Sequence, residues 1–250
     1  MGKMIAIHQQ SGTVQAYLTF PEKAVVFRGA VIVLHEIWGL TEHIKSVADR
    51  LAAEGYYVLA PDLYSGKDRD RRLSEETQKA IFSTDEQVRY AAQPKLRALL
   101  APTQTPQFTL LALSRLSSCF EYMYNQPLVH QRVSVVGFGL GGNYTYSMAM
   151  REPRLKAAVA FYGRAKYVVP ELRHIACPIM SLQGGKDSTV MAGLDELTEH
   201  MKQAGVSYRS VVYRDSGHAF FNDTNSFAYN KPDAEDAWHR LVTFLYDNMS

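Results

Sequence analysis

Predominantly apolar runs, most of them separated by helical patterns, limit this chain to one class of architecture. A half-exposed strand alternates apolar and polar residues, whereas a strand covered on both faces is apolar throughout. Buried strands of the second kind, predominantly apolar, are predicted within residues 29–36, 56–64, 132–139, 155–163 and 177–187. We therefore predict an α/β fold, in which a mostly parallel, twisted sheet carries helices on both faces.

The remaining segments fit around such a sheet. Alternating stretches at 4–9 and 13–20 predict an antiparallel hairpin, and 207–218 predicts the last strand. Thr41 is placed to cap a helix that ends at Gly55. The apolar stripe of that helix consists of Ile44, Val47, Ala48, Leu51 and Ala52. Further helices are predicted at 108–125, 142–150, 191–204 and 234–248.

The length of 250 residues suits a single domain over residues 1–250. The stretch 69–106 is polar and partly helical, with a helix start at Ser74, and is predicted to be a small excursion from the core. The residues KDRDRR, 67–72, are expected to form a solvated loop, because acids interrupt the basic residues.

Composition argues against several classes of function. A net charge of +2 gives no reason to expect nucleic acid or a membrane as a partner, and no apolar run reaches the length of a membrane span. The two cysteines provide no disulfide framework, and residues 1–20 lack a secretory-signal pattern, so we expect a cytoplasmic protein. We expect no cofactor or metal, since His35-Glu36 lacks the second histidine of a zinc helix.

The segment VSVVGFGLGGNYTYSM, residues 133–148, combines a buried strand, a glycine-rich turn and a helix. This is the outline of the nucleophile elbow of α/β-hydrolases, a sharp turn that presents a serine or cysteine. The presenting position is Gly139, which has no side chain. A dinucleotide-binding turn is the alternative, but it normally follows the first strand and requires an acid after the next one, which VAFYG does not supply.

Residues that follow the predicted strands are the candidates for chemistry, because ligands of open α/β sheets bind beyond the carboxyl ends of the strands. Glu36 and Ile37 end one strand, Asp187 ends another, and His218 follows the last. Alone, a strand-end aspartate is more often a helix cap, and a single histidine is more often structural. Together, the chain order elbow, acid and histidine is that of the α/β-hydrolase triad.

These motifs resemble the dienelactone hydrolase family of the α/β-hydrolase fold. VIVLHEIWGL, GYYVLAPDLY, GFGLGG, GGKD, GHAFFND and AEDAW follow that family's pattern in order, from about residue 29 to residue 245. The resemblance implies a cysteine at the position of Gly139, activated by His218, which Asp187 orients. It also implies an oxyanion hole formed by the backbone amides of Ile37 and Leu140.

The same resemblance gives Glu36 the role of contacting the resting nucleophile. It implies that the substrates are small esters or lactones, often with a carboxylate that arginines hold. The candidates for that role, by position in loops, are Arg69, Arg71, Arg72, Arg89 and Arg164.

Gly139 departs from the family pattern, and covalent acyl transfer needs an attacking atom that glycine does not have. Loss of a triad nucleophile leaves roughly 10³–10⁴-fold catalysis over water from the oxyanion hole and binding. The fold is expected to survive, because the elbow conformation is strained for other residues and easy for glycine. Cys119 is expected to be a core residue of a helix, and Cys177 precedes a strand at its amino end, opposite the site. Neither Ser188 nor Ser216 lies on such a turn.

Four interpretations stay open at this point. The chain has lost covalent chemistry and binds a small ester, lactone or carboxylate, which the bare Gly139 favours. Alternatively it is a hydrolase in which His218, supported by Asp187, directs a water molecule, which retention of the acid and the histidine favours. The third interpretation is a structural or partner-binding protein, although the sequence has no exposed apolar repeat or charge block. The fourth is an engineered glycine that traps a ligand.

Overall fold

The described part of the chain forms one eight-stranded sheet. The computed structural model describes residues 2–9, 12–21, 27–66 and 74–249. The strands are β1 (Lys3–Gln9), β2 (Gly12–Thr19), β3 (Ala30–Leu34), β4 (Tyr57–Pro61), β5 (Val133–Phe138), β6 (Ala158–Phe161), β7 (Ile179–Gly184) and β8 (Tyr208–Tyr213). Their order across the sheet is β1-β2-β4-β3-β5-β6-β7-β8.

The strand directions agree with the sequence prediction. β2 pairs antiparallel with β1 and with β4, which confirms the predicted hairpin. The other neighbours, from β4 through β3, β5, β6 and β7 to β8, pair in parallel. The carboxyl ends of these parallel strands therefore meet at one edge of the sheet.

Helices cover both faces of the sheet, as predicted. They are α1 (Glu42–Ala53), α2 (Glu75–Ile81), α3 (Glu86–Leu100), α4 (Pro106–Tyr124), α5 (Leu140–Arg151), α6 (Val169–Leu172), α7 (Ser188–Ala204) and α8 (Lys231–Met249). Ser74 begins α2 as predicted, because its hydroxyl oxygen accepts a hydrogen bond from the Thr77 amide. Thr41 occupies the predicted N-cap position of α1, but its side chain makes no capping hydrogen bond. The buried stripe of α1 is as predicted, with His43 added to it.

The alternating side chains of the central strands enter two separate cores. On β3, Ile32 and Leu34 join the core that contains residues of α4, α5 and α7. Val31 and Val33 join the opposite core, which contains residues of α1 and α8. Burying such a side chain contributes about 1.5–3 kcal/mol. This double coverage is the physical reason why the strand is apolar at every position.

The polar stretch predicted as an excursion contains α2 and α3. No described side chain of these two helices belongs to either core. The predicted solvated loop at 67–72 lies outside the described residues, and the single-domain assignment stays a prediction. Within the described ranges, no helix is long and apolar enough to cross a bilayer. The same ranges contain no cluster of three potential metal ligands.

Candidate active site

Parallel pairing brings the candidate residues to the same edge of the sheet. Leu34 of β3 lies opposite Gly137 of β5, and Phe138 lies opposite Phe161 of β6. Phe161 in turn lies opposite Leu182 of β7. The segments that follow these strands, which carry Glu36, Gly139 and Asp187, therefore begin side by side.

The backbone turns sharply at Gly139, between β5 and α5. Gly139 has φ 52° and ψ −110°, a conformation that residues with a β-carbon adopt only under strain. Its amide donates to the Phe161 carbonyl at 3.0 Å, and its carbonyl accepts the first helical hydrogen bond of α5 from Asn143 at 3.1 Å. Close packing also fixes the flanking positions, because a β-carbon on Gly137 would collide with the Gly141 carbonyl. The predicted elbow geometry is present.

Three residues surround the position that a side chain on Gly139 would occupy. An ideal β-carbon there lies 3.8 Å from His218 Nε2 and 3.9 Å from both Glu36 Cγ and Tyr162 Cδ2. These are ordinary van der Waals distances, so the site has room for a side chain or a small ligand atom. The imidazole nitrogen faces the place where the resemblance expects a thiol.

His218 and Asp187 form the predicted pair. His218 Nδ1 lies 2.6 Å from Asp187 Oδ2. An ionised carboxylate only accepts hydrogen bonds, so Nδ1 donates to Asp187 and Nε2 is the ring nitrogen that can act as a base. The Asp187 side chain is 7% exposed, whereas that of His218 is 57% exposed and open to solvent.

Asp187 has a second partner at the start of α7. Its Oδ1 accepts a hydrogen bond from the Val190 amide at 3.2 Å, so the carboxylate also caps the helix. Burial raises the pKa of Asp187, but the hydrogen bond and charge of His218, with the amides of Val190 and Thr189, outweigh burial. The pKa of Asp187 is consequently lower than its ordinary value. The helix-cap and active-site interpretations of this residue are compatible with each other.

The two backbone amides predicted for the oxyanion hole are available. Leu140 is the first residue of α5, and Ile37 follows Glu36 after β3. Within the described chain, neither amide donates a hydrogen bond to another protein group. Both are free to bind a carbonyl oxygen.

Glu36 is held by two residues that the sequence analysis did not identify. The Tyr162 hydroxyl donates to Oε1 at 3.0 Å, and Asn222 Nδ2 donates to Oε2 at 2.6 Å. Glu36 is 3% exposed. Burial, together with the charge of Glu36, raises the pKa of Tyr162 well above its ordinary value, which keeps the phenol protonated as a donor. Tyr162 directly follows β6, so the strand-end rule could have found it.

Three of the four alternative nucleophiles, Cys119, Cys177 and Ser216, are buried. Burial raises the pKa of Cys119 to about 12 and that of Cys177 to about 11, and the core position predicted for Cys119 is confirmed. The Ser216 hydroxyl is buried and donates to Asp233 Oδ2 at 2.6 Å. Ser188 is exposed at the start of α7.

The candidate arginines differ in their surroundings. Arg89 Nη1 donates to the Ser83 carbonyl at 2.8 Å, and its guanidinium lies 3.7 Å from the centroid of the Phe227 ring. Arg164 lines a cavity between the loop after β6 and α7. Arg69, Arg71 and Arg72 lie outside the described residues.

Comparison with known proteins assigns the chain to a family. The family model described as "Dienelactone hydrolase family" matches residues 14–249. The chain belongs to this family. The resemblance drawn from the motifs and the predicted α/β-hydrolase fold are thereby confirmed.

The similarity of this dienelactone hydrolase family member to individual relatives covers nearly the whole chain. A protein of Saccharolobus solfataricus named "Putative carboxymethylenebutenolidase" is 30% identical, over 98% of each chain. A protein of Escherichia coli K12 with the same name is also 30% identical, over 96% of this chain and 84% of its own length. The crystal structure of "Putative Dienelactone Hydrolase" from Klebsiella pneumoniae superimposes with a TM-score of 0.80 at 26% identity, covering 98% of both chains. Family membership supports a hydrolase-type function on small esters or lactones.

Proposed function

We propose that this protein hydrolyses small esters or lactones slowly and without a covalent intermediate. In this scheme, His218 activates a water molecule beside Gly139, and Asp187 orients the imidazole. Glu36, with Tyr162 and Asn222, forms the polar wall of the same space. The natural substrate is a small ester or lactone, with or without a carboxylate.

The observation that carries the proposal is the orientation of His218. Its Nδ1 is tied to Asp187 at 2.6 Å, and its Nε2 faces the side-chain position of Gly139 at 3.8 Å from an ideal β-carbon. A protein that only binds a ligand has no need for a base and an orienting carboxylate aimed at this position. A general base contributes about 10²–10⁴-fold when it lies within hydrogen-bond reach of the proton it removes.

The proposed reaction follows from these positions. The amides of Ile37 and Leu140 bind the carbonyl oxygen of the substrate and stabilise the negative charge that develops on it. A water oxygen attacks the carbonyl carbon while Nε2 of His218 takes one of its protons. The tetrahedral intermediate then expels the alkoxide, which receives that proton from His218. The products are a carboxylic acid and an alcohol, joined in one molecule when the substrate is a lactone.

A binding protein is the second candidate, and Gly139 itself favours it. Without a nucleophile, the amides and the polar wall can still hold an ester, lactone or carboxylate. The two candidates differ in one respect, because only the hydrolase requires the His218 base.

Turnover of p-nitrophenyl acetate distinguishes the two candidates. The proposal expects a rate above buffer background that falls to background in His218→Ala. Exposed imidazoles also cleave this ester weakly, so His174→Ala, which alters an exposed histidine away from the site, is the matched control and is expected to retain the rate. Equal rates for His218→Ala and the unchanged protein would leave only the binding candidate.

A further inference from the structure

The cavity lined by Arg164 lies next to the candidate active site. Its volume is about 490 Å³, within the range of small-molecule sites, which is about 300–1,000 Å³. Its wall includes Gly163, which follows Tyr162, and Thr189, which comes shortly after Asp187. Gly139, Glu36 and His218 are not part of that wall. The cavity is therefore adjacent to the proposed reaction centre without containing it.

Gln183, one of the residues that line this cavity, carries an unpaired acceptor. Gln183 is fully buried, and its Nε2 donates to the Gly163 carbonyl at 3.1 Å and to Ser181 Oγ at 2.6 Å. The carbonyl oxygen can only accept, so the amide nitrogen must face it. Gln183 Oε1 is thereby left as a buried atom with no hydrogen-bond partner. Such an atom is costly unless a donor reaches it.

Positive charge lies at the same wall. Arg164 and Lys166 both line the cavity and are exposed. Among the described residues, neither side chain has an ion-pair partner. His200 also lines the cavity and is fixed there, because its Nδ1 donates to the Tyr167 carbonyl at 2.9 Å. Glu196 is the one carboxylate among the described residues of the wall.

We propose that this cavity is a binding site for a small organic anion that also carries a hydroxyl or amino donor. Arg164 and Lys166 attract the negative charge, and the donor satisfies Gln183 Oε1. The apolar part of the ligand packs against α7, where Val190, Leu194 and Leu197 line the cavity. The inference does not depend on hydrolysis at the neighbouring centre.

Gly193 of α7 provides a way to close the cavity. It lines the wall, and a β-carbon added to it would meet no atom within 4 Å. A phenylalanine at this position therefore fills space without colliding with the backbone. Gly193→Ala is the matched control, because it makes the same helix-favouring change and leaves most of the space open.

Isothermal titration at low salt with three probes tests the site. The probes are 4-hydroxybenzoate, benzoate, which lacks the hydroxyl, and 4-hydroxybenzyl alcohol, which lacks the charge. We expect 4-hydroxybenzoate to bind most tightly and each simpler probe to bind about three- to tenfold more weakly, the effect of one lost polar interaction. Higher salt weakens the two anions and not the alcohol.

The variants locate the bound probe. Gly193→Phe is expected to abolish binding of 4-hydroxybenzoate, whereas Gly193→Ala and His218→Ala are expected to retain it. Replacing Arg164 and Lys166 together by alanine should remove the preference for the anion over the alcohol, and both residues are exposed, so folding is not at risk. Binding that survives Gly193→Phe, or that His218→Ala abolishes, would place the probe elsewhere and overturn the proposal. Absence of saturable binding of 4-hydroxybenzoate would overturn it as well.

Discussion

His218 Nε2 lies 3.8 Å from the position that a β-carbon on Gly139 would occupy, and the opposite side of the same ring is bound to Asp187. The imidazole is thus held in the position that activation of a nucleophile requires, beside a residue that has none. Substitutions at Gly139 therefore test both the chemistry of this pair and the strain of the turn that creates it.

Gly139→Cys is expected to raise esterase activity strongly. The new thiol would lie against His218 Nε2, which can deprotonate it, and the amides of Ile37 and Leu140 would stabilise the acyl transfer. We expect an increase of at least about 100-fold in kcat/KM for p-nitrophenyl acetate, since loss of a triad nucleophile costs several powers of ten. Gly139→Ala is the control for added volume and strain. If both variants are equally slow, the surrounding groups are not arranged for catalysis.

Gly139→Ala is also expected to lower the free energy of unfolding, because it adds a side chain at the elbow. At φ 52° and ψ −110°, a residue with a β-carbon is strained by about 1–3 kcal/mol, so Gly139→Ala should lower the free energy of unfolding by that amount. Gly137→Ala should cost more or prevent folding, because its β-carbon collides with the Gly141 carbonyl. Urea unfolding compares the two. A larger loss for Gly139→Ala than for Gly137→Ala would contradict the conclusion that space is limiting at Gly137 and backbone conformation alone at Gly139.

The native protein is expected to resist thiol reagents. Its two cysteines are buried, and burial raises the pKa of Cys119 to about 12 and that of Cys177 to about 11, so little thiolate forms near neutral pH. Titration with Ellman's reagent should detect no rapidly reacting thiol in the folded protein and both cysteines after denaturation. In Gly139→Cys, one thiol should react quickly under native conditions. Rapid modification of the unchanged protein would count against the buried environments of Cys119 and Cys177.

Glu36→Gln is expected to destabilise the fold. Both carboxylate oxygens accept hydrogen bonds, from Tyr162 and from Asn222, and an amide turns one of these acceptors into a donor. A buried donor or acceptor without a partner costs about 1–3 kcal/mol. Thermal unfolding measures the loss, and Glu199→Gln, a change of the same kind at an exposed position of α7, should have little effect. Equal melting temperatures for the two variants would show that the two hydrogen bonds contribute nothing to stability.

The lowered pKa of Asp187 predicts that this residue contributes more to the stability of the protein at neutral pH than at acidic pH. Its pKa is lowered in the folded protein, so the stability it contributes is complete above the unfolded pKa, about 3.9, and is lost as the pH falls through the folded value. Asp187→Asn should therefore be less stable than the unchanged protein at pH 7, and the difference should shrink at pH 3. Asp195→Asn, on the exposed side of the same helix, controls for loss of charge. A difference for Asp187→Asn that is as large at pH 3 as at pH 7 would contradict the assignment.

Much of this fold could be predicted because each local signal had one physical cause. The apolar runs of β3 and β5 followed from coverage on both faces, and the elbow followed from glycines that close packing requires at Gly137 and Gly141. The sequence predicts that α7 starts at residue 191, but the helix begins at Ser188 because Asp187 caps it. The cap and the active-site interpretations of this aspartate were weighed as alternatives, whereas the residue serves as both.

The contacts around Glu36 could not be predicted from local pattern. Its partners Tyr162 and Asn222 are 126 and 186 residues away in the chain, and only the tertiary fold brings them together. The missing hydrogen-bond partner of Gln183 Oε1 could not be predicted either. A glutamine in an apolar run gives no indication of which of its side-chain atoms form hydrogen bonds.

Asp187 joins two regions that could otherwise behave independently. One oxygen steers the imidazole of His218, while the other fastens the first turn of the helix that forms a side of the neighbouring cavity. The two spaces thus share one structural support, because a single carboxylate contacts both the base and the helix beside the cavity.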